Sequence, residues 1–280
     1  MAGGLRKAFV SGQFYPRSAS ECNTMLKAFE AGVKKDKIKN IAPKAVVAPH
    51  AGWIYSGQTA AYSYEALKNS ASNGSIFVIL SPNHTGYGSA VALSALDWQT
   101  PLGTVKNDAE LRAALLKASP VFEIAEEAHA MEHSIEVQLP FLQHYFKDSC
   151  FSFSFVPVTF LDQSLEAAKK VGEAIAQASK KIKKPLFIVA SSDFTHYEPA
   201  AQAREKDDKV IAALADLNVT AFYDALRETA ATACGYAPIA AAAVYAKARG
   251  AKKARLLNFS DSGRASGDSN VVDYASIAFV

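Results

Sequence analysis

Three segments of this chain are apolar at nearly every position over the length of a strand: Lys44–Pro49 (KAVVAP), Ser75–Leu80 (SIFVIL) and Pro185–Ala190 (PLFIVA). Successive residues of a strand point to opposite faces, so a run that is apolar throughout is buried on both. Sheets covered on both faces are built from strands that alternate with helices, and they are mostly parallel. Helical patterns are expected over Gln58–Lys68, Asn107–Lys117 with Asn107 as N-cap, Ser164–Ser179, Ala201–Leu214, Thr220–Arg227 and Cys234–Arg249. Further strands are expected at Ala90–Leu96, Phe151–Phe160, Ala254–Phe259 and Val271–Val280. No linker, repeat or break in composition divides the chain, so residues 1–280 are read as a single α/β domain with helices on both faces of a mostly parallel sheet.

Half of the 280 residues are hydrophobic, which excludes a disordered chain. The net charge of +3, from 30 Lys+Arg against 27 Asp+Glu, is too weak and too scattered to indicate nucleic acid. Three cysteines (Cys22, Cys150, Cys234) lie far apart with no C-x-x-C, so neither a disulfide framework nor a zinc knuckle is expected. Reduced thiols point to the cytoplasm. Arg6 and Lys7 have no apolar run behind them, so no signal peptide is read. The eighteen uncharged residues Thr229–Ala246 are alanine-rich and contain Gly235 and Pro238, which favours a buried helix over a membrane span.

Ligands of open α/β sheets bind beyond the carboxyl ends of the strands. Three of the six histidines follow such ends: His50 in Ala48-Pro-His-Ala-Gly52, His84 in Ser81-Pro-Asn-His84, and His196 in Ser191-Ser-Asp-Phe-Thr-His196. Any one alone reads as an ordinary loop residue; three in the same topological place point to a shared site. Imidazoles joined by a carboxylate or thiolate suit zinc, iron or copper. Cys234 is the fourth candidate. Pro238 belongs in a first helical turn, which sets Cys234 near the cap, where the helix N-terminus favours a thiolate. The competing reading is a buried inert thiol. Asp193 and His196 leave one strand end three residues apart, so both can turn into one pocket.

The segment Glu126–Glu136 is dense in titratable groups. His133 and Glu136 are expected to share a face at a helix start, with Pro140 kinking or ending that helix. His133 is either a site residue or a satisfied helix-terminus histidine, and His144 is assigned to surface or core. There is no G-x-S-x-G elbow, no P-loop and no G-x-G-x-x-G. Gly263–Ser269 is read as a flexible loop able to close near a site.

Taken in order, Gly12-Gln-Phe-Tyr-Pro16, Ala48-Pro-His-Ala-Gly52 with Tyr55-Ser-Gly57, Ser81-Pro-Asn-His84, Glu132-His-Ser-Ile-Glu136 with Leu139-Pro140, Ser191-Ser-Asp-Phe-Thr-His196, Cys234-Gly-Tyr-Ala-Pro-Ile239 and Ser266-Gly-Asp268 form a set. The set resembles the Memo family, whose bacterial and archaeal members are called AmmeMemoRadiSam system protein B, and the resemblance covers essentially the whole chain. That family resembles class III extradiol dioxygenases. The resemblance implies a three-layer α/β/α sandwich around a mixed, mostly parallel sheet, with a metal pocket at the strand ends. It matches His50, His84 and Cys234 to metal ligands, Asp193 and His196 to pocket positions with His196 where the dioxygenases keep a base, and His133 to a further pocket histidine. The dioxygenases hold iron with two histidines and a carboxylate; here Cys234 takes the third place. The genomic system's name implies a radical S-adenosylmethionine partner protein.

Two functions follow. One is a non-haem redox enzyme with a divalent transition metal, iron or copper before zinc, and His196 as acid and base. The other is a non-catalytic module that captures a small molecule or peptide in the same pocket. Neither involves nucleic acid or membrane.

Overall fold

The computed structural model describes residues 4–146 and 151–280, so Cys150, one of the three cysteines, lies outside the described residues. In chain order the main elements are α1 (Ala19–Ala31), β1 (Ala45–Ala48), α2 (Trp53–Leu67), β2 (Ser75–Pro82), β3 (Val91–Leu93), α3 (Ala109–Ala118), β4 (Glu123–Ile124) and α4 (Leu139–Phe146). They continue with β5 (Phe153–Phe160), α5 (Leu165–Ser179), β6 (Leu186–Ser191), β7 (His196–Pro199), α6 (Ala200–Leu214), α7 (Val219–Thr229), α8 (Tyr236–Ala248), β8 (Ala254–Asp261) and β9 (Asn270–Phe279).

The sheet is mixed. Its centre is the parallel set β1-β6-β2-β5, flanked by β9 antiparallel to β1 and by β3 antiparallel to β5. β8 closes one edge against β9, β4 closes the other, and β7 pairs with the start of β9. A small second sheet of Leu5–Arg6, Asp97–Thr100 and Gly103–Val105 was not foreseen, because its short strands carry no sustained alternation.

The apolar runs divide between two cores as a pleated strand requires. Ile76, Val78 and Leu80 pack with Leu111 of α3, Ile175 of α5 and Ile239 of α8. Phe77 and Ile79 pack on the opposite side with Leu26 of α1, Trp53 of α2 and Phe141 of α4. This is the three-layer α/β/α arrangement. α8, which carries most of the long uncharged stretch, lies inside it, and no helix among the described residues is long and apolar enough to cross a membrane.

The register sets the site. Ala48 pairs with Ser191, and Leu80 with Ala190, so β1, β6 and β2 run out side by side at one level. The loops bearing His50, His84 and Asp193 therefore leave the sheet together.

Local chemistry moves several boundaries. α2 starts at Trp53 rather than Gln58, because extended Gly52 caps it and the Trp53 N–H donates to Phe14 O at 2.8 Å. Asp108, not Asn107, caps α3, accepting from Leu111 N at 2.9 Å, while Asn107 reaches Ser94 O and Leu96 O. Pro140 stands in the first turn of α4, where its missing N–H costs nothing, so it opens a helix instead of ending one.

Gly172 shows how tightly α5 and α8 are apposed. A Cβ there would lie 2.5 Å from Ala241 O and 2.7 Å from Val244 Cβ. Alanine gains up to about 1 kcal/mol of helix propensity, and overpacking costs about 1–3 kcal/mol. Gly172→Ala is expected to lower the urea midpoint with an unchanged denaturant slope; a midpoint at or above that of the parent contradicts the close packing.

Candidate metal centre

His50 sits two residues beyond β1 and is 2% exposed. Its orientation follows from one hydroxyl. Ser191 Oγ donates to Ser134 O at 2.8 Å and accepts from Gln138 Nε2 at 2.8 Å, leaving one lone pair for His50 Nδ1 at 2.9 Å. His50 Nδ1 is thus the protonated nitrogen, and Nε2 carries a free lone pair. That lone pair meets Cys234 Sγ at 3.2 Å. Burial, reinforced by His84, His133 and His196, drives the His50 imidazole well below its ordinary range, so it is neutral at neutral pH.

His84 follows β2 and is fixed by Glu132. The carboxylate accepts the His84 backbone N–H at 2.6 Å and faces Nδ1 at 3.0 Å, so Nδ1 is the donor and Nε2 is free. Burial alone would raise the Glu132 carboxyl; the hydrogen bond with His84, joined by the neighbouring His133 and the Ser134 N–H, outweighs it and holds the group at about 2. Glu132 is the orienting residue that the sequence reading did not single out. Its signal was adjacency to His133 in the acidic segment.

Cys234 precedes α8 by one capping residue, Gly235. Gly235 is required there, since a Cβ would lie 2.5 Å from Ser191 O and 2.8 Å from Ser192 Cβ. The Asp193 N–H donates to Sγ at 3.3 Å. Even so, burial and then the Asp193 charge push the Cys234 thiol far up. The expected thiolate at a helix start is therefore not the metal-free state: loss of solvent outweighs the helix end. Cys22 is fully buried, with Sγ donating to Pro16 O at 3.1 Å, and burial pushes its thiol up to about 11.

Nitrogens of His50 and His84 and the sulfur of Cys234 all lie within 4.8 Å of one another. Metal bonds of about 2.0–2.3 Å set tetrahedral donor separations of about 3–4 Å, so these three could hold a metal ion after modest closure. The side chain of His84 is 35% exposed, which opens the group to solvent on that side. His84, Glu132 and His133 form a second such group, but Glu132 Oε1 already accepts from Ser134 N, Ser134 Oγ and His84 Nδ1, so it acts as a partner of the histidines.

The remaining candidates surround this point. His50, His84, His133, Asp193 and His196 line one cavity of about 610 Å³. The His133 ring lies 4.7 Å from that of His84 and 4.4 Å from Phe14; burial lowers its imidazole to about 4. Glu136, expected beside it, turns the other way into a buried ion pair with Arg6 at 2.7 Å. Asp193 Oδ1 accepts from His50 N at 2.8 Å, and burial outweighs that bond to push its carboxyl up to about 6. His196 Nδ1 faces Thr232 O at 3.0 Å, an acceptor only, so Nδ1 is protonated and Nε2 is free. His144 is paired with Glu30 at 2.8 Å, away from the site.

Two outcomes follow. A metal that takes the thiolate must displace the Cys234 proton, while neutral His50 releases none. Affinity should therefore rise about tenfold per pH unit across neutral pH, with about one proton released, as measured by calorimetry in buffers of different ionisation enthalpy. A flat profile would remove Cys234 from the ligand set. Glu132→Gln should weaken metal binding about 10–100-fold in a chelator competition, as expected on losing a histidine's carboxylate partner.

A family model described as "Memo-like protein" matches residues 6–278. A "MEMO1 family protein" of Nitrosopumilus maritimus is 41% identical over 281 residues, covering 99% of this chain and 100% of its own. A MEMO1 family protein of Methanopyrus kandleri is 43% identical over 282 residues, covering 98% of each. Among solved structures, uncharacterized protein JW3007 from Escherichia coli K12 superposes with a TM-score of 0.56 at 12% identity, over 84% of this chain and 99% of that one, which is a likeness of fold. With a matching model over nearly its whole length and relatives this similar end to end, the chain belongs to the Memo-like family.

Proposed function

We propose that this chain is a non-haem, metal-dependent redox protein, an oxidoreductase related to class III extradiol dioxygenases, with one divalent transition metal on His50, His84 and Cys234. The observation that carries this is the convergence of two imidazole Nε2 lone pairs and one sulfur, each set by a buried partner, with one side open to solvent. Two imidazoles and a thiolate suit copper, iron or zinc, and iron or copper fits the redox reading. Such a metal, when bound, supplies Lewis-acid and one-electron chemistry to a ligand in the open position.

The chain's own residues do the rest. Asp193 fixes the backbone of the His50 loop through His50 N and Ala51 N. His196 has a free Nε2 in the same cavity and takes or returns a proton there. His133, packed between Phe14 and His84, closes the wall and excludes water. One domain over residues 1–280, residence in the cytoplasm with reduced thiols, and service to a radical S-adenosylmethionine partner belong to the same reading. A non-catalytic module for a small molecule or peptide is the second reading, consistent with the aromatic residues that line the cavity.

The test separates the roles. His50→Ala and His84→Ala should lose metal by more than the roughly 100-fold that an outer partner accounts for, by elemental analysis after chelator challenge. His196→Ala should keep its metal and lose oxygen- or substrate-linked turnover. Tight metal binding in His50→Ala moves the centre elsewhere, and metal loss in His196→Ala places that residue among the ligands. Intact ligand binding with no turnover under any metal leaves the binding module.

A further inference from the structure

The cavity above the candidate centre has an unusual charge pattern. Its lining includes two carboxylates, Asp193 and Asp268, and no lysine or arginine among the described residues. Pockets that take phosphate or carboxylate ligands supply arginine forks, lysines or free helix N-termini. Here the nearby Arg264 faces Asp261 at 3.7 Å, and the first amide of α2, Trp53 N–H, is given to Phe14 O.

Asp268 differs from the other carboxylates near the site. It is exposed, and among the described residues it forms no ion pair. Its position is built by the fold. Gly267 at φ +81° makes the preceding turn, Asp268 N donates to Ser266 Oγ at 3.1 Å, and a Cβ on Gly263 would stand 2.7 Å from Asp268 O. The same cavity is lined by Phe14, Tyr55 and Tyr197. Tyr197 is 78% exposed and carries a left-handed φ of +58°, a costly conformation for a residue with a Cβ. Among the described residues its ring has one aromatic neighbour, His196 at 5.8 Å.

We infer that the ligand of this cavity is an aromatic ammonium compound. Its ring lies among Phe14, Tyr55 and Tyr197, its ammonium is met by Asp268, and an electron-rich donor on the ring faces the His50 and His84 side of the candidate centre. Aromatic faces and a carboxylate both attract a cation, and both disfavour an anion. The donor end rests on the proposed metal; the ammonium end rests on Asp268 alone.

Three probes of one shape separate the ends: tyramine (cationic), 4-methylphenol (neutral) and 4-hydroxyphenylacetate (anionic), titrated by calorimetry into zinc-loaded and metal-free protein. Tyramine should bind at least tenfold tighter than 4-hydroxyphenylacetate in both states, with the advantage shrinking as salt rises. Asp268→Asn should erase the charge preference and leave 4-methylphenol unchanged, and Asp268→Lys should reverse it. Equal or tighter binding of 4-hydroxyphenylacetate, or a preference that survives in Asp268→Asn, overturns the inference. Removing the metal should weaken all three probes alike; if it changes nothing while the charge preference stands, the metal reading fails and the ammonium site does not.

Discussion

One buried hydroxyl, Ser191 Oγ, ties the sheet to its candidate site. It closes the end of β6, donates to Ser134 O, and accepts from both Gln138 and His50. Gln138 in turn donates to Pro49 O and accepts from Tyr64 OH. Every polar atom in this chain of contacts has a partner, which is the condition for a buried network to stabilise rather than penalise a core. Because a hydroxyl has one proton and two lone pairs, its other two contacts leave only one role for the imidazole.

A second buried network carries the N-terminal segment to the same place. Glu136 accepts from Arg6, from the N–H groups of Phe9 and Val10, and from Tyr15 OH. Arg6 also donates to the carbonyls of His129 and Glu132 and lies 4.0 Å over the Trp98 ring. A buried ion pair is tolerable only when hydrogen bonds satisfy its remaining atoms, and here they do. Through this clamp Phe14 reaches His133, and its carbonyl reaches the first amide of α2.

The layers were legible in the sequence because burial on both faces leaves an unbroken apolar run, and the convergence of His50, His84, Asp193 and His196 followed from strand ends. Cys234 was placed by Pro238. Other features were not legible, for physical reasons. Strands such as Glu123–Ile124 and His196–Pro199 are too short for a period and exist through pairing alone. Glu132 and Glu136 are both fully buried carboxylates four residues apart, and sequence spacing could not say which one faces the histidines. The pKa direction of Cys234 depends on depth below the surface, which no capping pattern encodes.

The proposed ligands come from three loops that are far apart in the chain and meet only where β1, β2 and β6 are already in register with α8 seated behind them. No partial structure of this fold presents them together. An ion held there would recognise the finished sheet and bind poorly to any earlier state, so its binding free energy would be shared by the whole architecture. In such a protein the pocket and the global fold are one thermodynamic unit: whatever loosens the sheet releases the ion, and whatever fills the pocket resists unfolding far from it.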